Sequence, residues 1–290
     1  MNTQAMSKSI GILRMEDLTG QITDDHLYVE ALQNLGCTVS ELAWTSDSKW
    51  SDFDAIIIRA TWDYHLRLDE FLTKLKEIQS QTILLNPLEV VEWNANKKYL
   101  QELTNQGCSI VPTIFETSLT EEKLNHAFDK IAKDKIIVKP TVSANSLDTI
   151  ITERGNTHVL EVFKDRECMI QPYIHNINTI GEYSVYYFDG EFSHSIIKKP
   201  AKGDFRVQED FGGTQEEIQV NEELLACTDK VLAHFPKNTF YGRVDVVLSD
   251  ENEYQVMELE LIEPGMYFRF CEGSAENFAY KTIEYLNKIS

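Results

Sequence analysis

Residues 241–264 read YGRVDVVLSDENEYQVMELELIEP. Two aliphatic runs flank the polar segment 249–253, the pattern of a β-hairpin whose apolar side chains belong in a core. On the second run Glu258 and Glu260 lie two residues apart, so they project from one strand face. At roughly 7 Å and an effective dielectric near ~20, two carboxylates repel by about 2–3 kcal/mol. Asp245 on the partner strand brings a third carboxyl to that face. Three hard oxygen donors suit Mg2+, which accepts a few carboxylates and keeps positions for water and phosphate. A solvated sheet face carries paired glutamates equally well, so the rest of the chain has to decide.

The 290 residues suffice for two compact units, and a formal net charge of −20 argues against a nucleic-acid partner. Five scattered cysteines, with no CxxC and no Cys/His cluster, favour reduced thiols in a cytoplasmic protein. No apolar run reaches signal-peptide or membrane-span length, so no membrane partner is expected. Residues 1–9 read as a flexible tail. From there to residue 96, SIGILR, TDDHLYVEALQNLG, CTVSELAW, FDAIIIRATWDY, RLDEFLTKLKEIQSQ and TILLNP alternate between strand and helix periodicity. That rhythm predicts an α/β, doubly wound, right-handed domain. After residue 97 the chain turns α+β. KIIVKP, CMIQPYI, EYSVYYFDGEFSHSIIKKP and the opening hairpin read as mainly antiparallel strands, with the helices NEELLACTDKVLAHF and ENFAYKTIEYLNKI around them.

Lys139 ends a β-branched strand just before Pro140, where an ammonium is awkward unless it faces an anion; a lysine reaching solvent from a strand end is the plainer alternative. Lys97 opens a helix at the domain junction. The turn PTVSANSLDT offers backbone N–H groups and the Ser143, Ser146 and Thr149 hydroxyls to phosphate, without the usual glycines. Arg206, in AKGDFRVQEDFGGT, suits a phosphoryl group or a carboxylate. Arg59 leaves the C-terminal end of a buried parallel strand, the edge where open α/β sheets place ligands. There Arg59 would hold a substrate carboxylate and Asp63 an ammonium, with Trp62 between; an Arg59–Asp63 pair orienting the loop is the competing reading. His26, His65 and His194 lack metal-ligand spacing and read as ordinary polar positions, with His194 expected to approach the nucleotide site. Trp44 and Trp50 suit domain packing.

Taken in order, NKKYL, IIVKP, MIQPYI, GEFSHSIIKKP, DFRVQEDFGG, GRVDVV and ELELIEP resemble the ATP-grasp superfamily in its glutathione-synthetase-like branch, and there bacterial proteins similar to the D-cycloserine ligase. The resemblance runs from about residue 10 to 285. It implies an ATP-grasp fold: a pre-ATP-grasp domain over 10–96, a central lid over 97–172 and an antiparallel C-terminal subdomain over 173–290. It implies that Lys97, Lys139 and Ser143 contact ATP phosphates, that Gln171, Pro172, Tyr173 and Ile174 form the adenine hinge, and that Glu182 lies near the ribose. Lys198 and Arg206 would face the transferred phosphoryl group. Asp245, Glu258 and Glu260 would hold magnesium, with two ions expected and manganese able to substitute.

The sequence departs from the family with Glu260 in place of the usual Asn and with SANS in place of a glycine-rich turn. Glu263 is left as substrate-side or structural. The implied chemistry is ligation of a carboxylate to an amine through an acyl phosphate, on a small amino-acid-like substrate, joining two molecules or closing a ring. A synapsin-like regulatory ATP binder and an ATP-grasp kinase are the alternatives. A homodimer is common among such ligases.

Overall fold

The structure, a computed structural model, describes residues 7–289. The tail expected over 1–9 therefore falls mostly on residues 1–6, outside the described residues, and Ser9 already opens the first strand.

Strands β1 (Ser9–Arg14), β2 (Thr38–Ala43), β3 (Ala55–Ile58) and β4 (Ile83–Leu85) form a parallel sheet of order β2-β1-β3-β4. Helices α1 (Asp25–Asn34) and α2 (Leu68–Gln79) cover its two faces. Ile10, Ile12 and Ile57 meet Tyr28 and Leu32 of α1, whereas Leu13, Ile56 and Ile58 meet Phe71 and Leu75 of α2. This two-sided burial is why FDAIII reads as an unbroken apolar run. Trp44 and Trp50 are fully buried on the α2 side.

Helix α3 (Leu88–Ala95) follows Pro87 directly, and α4 (Tyr99–Asn105) lies just past the junction. Strands β5 (Ile114–Glu116), β6 (Lys135–Pro140), β7 (Ile150–Glu153) and β8 (Cys168–Pro172) make a small antiparallel sheet of order β5-β8-β6-β7. Helices α5 (Glu121–Ile131) and α6 (His158–Phe163) back it with Leu124, Phe128, Val159 and Phe163. A single turn, α7 (Asn176–Thr179), leads to the largest sheet.

That sheet is antiparallel, of order β11-β10-β9-β12-β13, built from β9 (Glu182–Phe188), β10 (Glu191–Lys199), β11 (Thr214–Glu217), β12 (Tyr241–Leu248) and β13 (Tyr254–Glu260). The β9–β10 turn places Asp189 and Gly190 at φ 50° and 76°, the left-handed pair a tight hairpin requires. Helix α8 (Glu222–Leu232), capped by Asn221 on Leu224 N–H at 2.8 Å, packs Leu224 and Val231 on one face. On the other, α9 (Ser274–Ile289) sets Phe278 among Tyr28, Tyr186, Phe188 and Tyr241, which joins the parallel sheet to the large one. Among the described residues no helix is long and apolar enough to cross a membrane.

Strand β13 is an edge, yet its outer backbone groups are matched, at Val256 by the backbone of Ser109 and Val111 and further along by side chains. Asn94 accepts from Leu261 N–H at 2.8 Å and donates to the Leu259 carbonyl at 2.9 Å. The Tyr99 hydroxyl accepts from Leu259 N–H at 3.0 Å. Asn86 donates to the Tyr241 and Leu261 carbonyls at 2.8 and 2.7 Å. Satisfied this way, the edge cannot pair with a further strand, and the residues that follow it are held in place.

Candidate active site

A crevice opens where the three sheets meet, lined by β6 and the 143–149 turn, by β12 and β13, by residues 205–210, and by the loops after β1 and β3. The hairpin register pairs Asp245 with Glu258 and Arg243 with Glu260, so these four side chains share the face turned to it. Arg243 was not anticipated, although GRVDVV places it two residues from Asp245 and hence on the same face. Its Nε and Nη2 donate to Asp245 at 3.0 Å, and Nη2 also bonds Glu260.

Asp245 is only 2 % exposed, and Ser184 and Lys198 (3.2 Å) complete its shell. Burial opposes its ionisation, but Arg243 and Lys198 hold its pKa down to about 2. Lys198, disfavoured by burial, is kept protonated well above the usual lysine range by Asp245 and Glu182. Glu182, read as a ribose contact, is thus the ion-pair partner of Lys198, though both line the crevice. Lys97 lies 3.1 Å from Glu258 and donates to the Ser143 carbonyl at 2.8 Å. Lys139 differs from all of these: it is buried, lines the crevice, and its ammonium makes no ion pair or hydrogen bond with any described residue. Burial pushes its pKa down, with Glu258 opposing.

The turn 143–149 adopts glycine-like geometry without glycine. Asn145, Ser146 and Asp148 all have φ between 51° and 55°, which short polar side chains tolerate best. Ser146 also accepts from Gln208 Nε2 at 2.8 Å, a bond linking the turn to the Arg206 loop. Arg206 lines the crevice with its guanidinium 3.7 Å from the Phe211 ring centre and paired to Asp204 at 2.7 Å.

Several expected site residues lie elsewhere. Asp63 does not line the crevice; it takes the Trp44 indole N–H at 2.8 Å and Arg67 at 3.1 Å. Arg59 reaches the wall, but its Nε and Nη2 donate to Asp25 Oδ1 at 3.0 and 2.9 Å, and its Nη1 is buried without a partner. The fork meant for a substrate carboxylate is therefore turned onto Asp25. Of the hinge residues only Gln171 lines the crevice: Tyr173 accepts from Asn178, Ile174 packs with Val111 and Val247, and Pro172 ends β8. His194 sits behind the wall, stacked 4.2 Å from Tyr186 and bonded to the Met266 carbonyl at 2.9 Å. Trp62 is at the crevice and donates to the Glu263 carbonyl at 3.1 Å. Tyr267, Met266 and Arg269 also line it, and nothing in their sequence context marks them.

For a metal ion the fit is chemical. Among the described residues no three His, Cys, Asp or Glu side chains already converge at metal spacing, because Arg243, Lys198 and Lys97 hold Asp245, Glu260 and Glu258. The donors are hard oxygens, however, and negative charge is in surplus. Burial and neighbouring carboxylates push Glu260 up to about 7 and Glu263 up to about 8, against the pull of Arg243 and Lys97. A divalent cation relieves such a surplus.

A lysine- and arginine-lined crevice between a small antiparallel sheet and a carboxylate-bearing one is the arrangement of an ATP-grasp ligase, and the chain is similar to that family. Its particular likeness is to D-cycloserine synthetase: residues 10–86 match the family described as D-cycloserine synthetase DcsG, N-terminal domain. The chain is 28% identical over 281 residues to the cycloserine biosynthesis protein DcsG of Streptomyces lavendulae, covering 89% of this chain and 92% of that protein. The crystal structure of D-cycloserine synthetase DcsG superposes with a TM-score of 0.82 at 26% identity, covering 96% of this chain and 99% of that one. The fold is shared with the ATP-grasp ligase PsnB complexed with a phosphomimetic variant of its minimal precursor, Mg and ADP (TM-score 0.68, 14% identity, 97% and 99% covered). It is shared also with D-alanine–D-alanine ligase from Bacillus anthracis complexed with ATP (0.68, 18%, 98% and 98%).

Proposed function

We propose that this ligase joins a carboxylate to an amine on a small amino-acid-like substrate, at the expense of ATP and with Mg2+, through an acyl phosphate. The observation that carries the nucleotide assignment is Lys139, a buried ammonium on the crevice wall with no protein anion bound to it. A buried, unpaired cation is costly unless a ligand supplies the anion, and phosphate is the anion the neighbouring Lys97 and Ser143 also suit.

In this reading Lys97 and Lys139 bind the phosphates, Gln171 lies beside the base, and the 143–149 turn closes over them. Arg206 swings from Asp204 toward the transferred group, while Lys198 and Arg243 offset charge that builds on it. Asp245, Glu258 and Glu260 would hold Mg2+, which when bound neutralises phosphate charge. The substrate carboxylate attacks the γ-phosphorus, ADP leaves, and an amine then displaces phosphate. The resemblance extends the proposal to two ions per site, to manganese as a substitute, to a cytoplasmic location and to a homodimer.

The test is an ADP-release screen of amino acids, dipeptides and O-ureido-serine-type compounds with MgATP. Phosphate and a new amide-type product are expected. A phosphorylated product would make it a kinase, and nucleotide binding without turnover a regulatory binder.

A further inference from the structure

Beyond the phosphates, toward Trp62 and the loop after β1, the crevice wall changes sign. Each cation there already has an acidic partner: Arg59 donates to Asp25, Arg269 bonds Asp24 and Glu209, and Arg243 bonds Asp245 and Glu260. Glu263 is left over. It is 8 % exposed, lines the crevice and makes no ion pair with any described residue. The groups around it are Tyr64, Tyr241 and Glu260, with Lys97 and Arg243 committed elsewhere. Its backbone is fixed by the Trp62 indole on its carbonyl and by Pro264 after it. A carboxyl this buried, with its own backbone N–H for a donor and no counter-ion, is an expensive feature in a protein that gains nothing from it.

We propose that Glu263 anchors the ammonium group of the substrate, so that this end of the crevice selects amino acids over the corresponding hydroxy acids. The proposal deepens the ligase reading and rests on it. It also reverses the polarity expected for the site, because Arg59 acts as a positioning residue: its Nε and Nη2 hold Asp25, which also lines the crevice, and only Nη1 is left without a partner, so the two-pronged fork a substrate carboxylate needs is taken. Selectivity arises because a hydroxyl in place of the ammonium leaves Glu263 desolvated without a counter-charge.

The experiment measures binding of the two enantiomers of alanine and of serine, and of lactate and glycerate, to the full chain loaded with MgADP by titration calorimetry. At least one amino acid is expected to bind, with its hydroxy-acid counterpart about tenfold weaker or worse. Glu263→Gln, which keeps the shape and removes the charge, is expected to weaken that amino acid by about tenfold while ADP affinity stays within about twofold; Glu263→Asp should restore part of the loss. Equal binding of amino and hydroxy acids, an unaffected Glu263→Gln, or ADP binding with no binding of any of the four amino acids would each overturn the proposal. Failure to bind ADP would instead bring down the ligase reading beneath it. Should Glu263→Gln not fold, the comparison of amino and hydroxy acids on the unaltered chain still decides.

Discussion

Glu263 makes its own contribution to stability depend on pH. Burial raises its pKa from the ordinary glutamate value to about 8, so between pH ~4.5 and 8 the folded chain binds more of that proton than the unfolded one, and stability falls as pH rises, by up to about 1.4 kcal/mol per unit. In thermal melts of the ligand-free protein, Glu263→Gln should flatten this decline and match or exceed the native protein at pH 8. An unchanged slope would contradict the burial argument. Arg243 answers to the opposite logic. It neutralises Asp245 and Glu260 together, so Arg243→Leu leaves buried charge unmatched and should cost about 3–5 kcal/mol in urea unfolding. Asp245, Glu258 and Lys139 stood out in the sequence because each is a charge inside an apolar strand run, and the structure brings all three to the crevice wall. Asp63 misled for the converse reason: its partners Trp44 and Arg67 belong to packing, which motif spacing does not encode.

Among the elements, the hairpins were readable from alternation and from the Asp189–Gly190 turn, while α3 was not. Its buried stripe of Val90, Val91, Asn94 and Ala95 is broken by a polar residue whose carboxamide serves the backbone of β13 rather than its own helix. A helix with a buried asparagine shows no clean apolar face, so only the tertiary contact explains it. The loop bearing Arg206 has its own backbone constraint. A Cβ on Gly213 would lie 2.2 Å from the Val207 carbonyl oxygen, so Gly213→Ala must shift that loop. Turnover in the ADP-release assay should fall by about tenfold or more with ADP affinity preserved, because positioning is lost and not charge. Equal losses in both would place the loop in nucleotide binding instead.

At the level of the molecule, α9 and the asparagine clamps tie the parallel sheet to the large antiparallel one, whereas the small sheet reaches the crevice through its 143–149 turn and through Ile137, Lys139 and Gln171, with Lys97 of the junction on the Ser143 carbonyl. The division into an α/β unit followed by an α+β unit was visible as a change of rhythm near residue 90. The convergence of Arg59, Glu263 and Arg269 on one wall was not visible, because they lie far apart along the chain and meet only through folding. Gln208 reaches across to Ser146, a bond that latches the two rims of the entrance whenever it is made. Uptake then waits on spontaneous opening, and in stopped-flow traces the observed rate should level off as ATP is raised instead of climbing in proportion. Gln208→Ala would unlatch the rims and restore proportionality; a native rate that climbs linearly to the highest concentration would show that the entrance stands open.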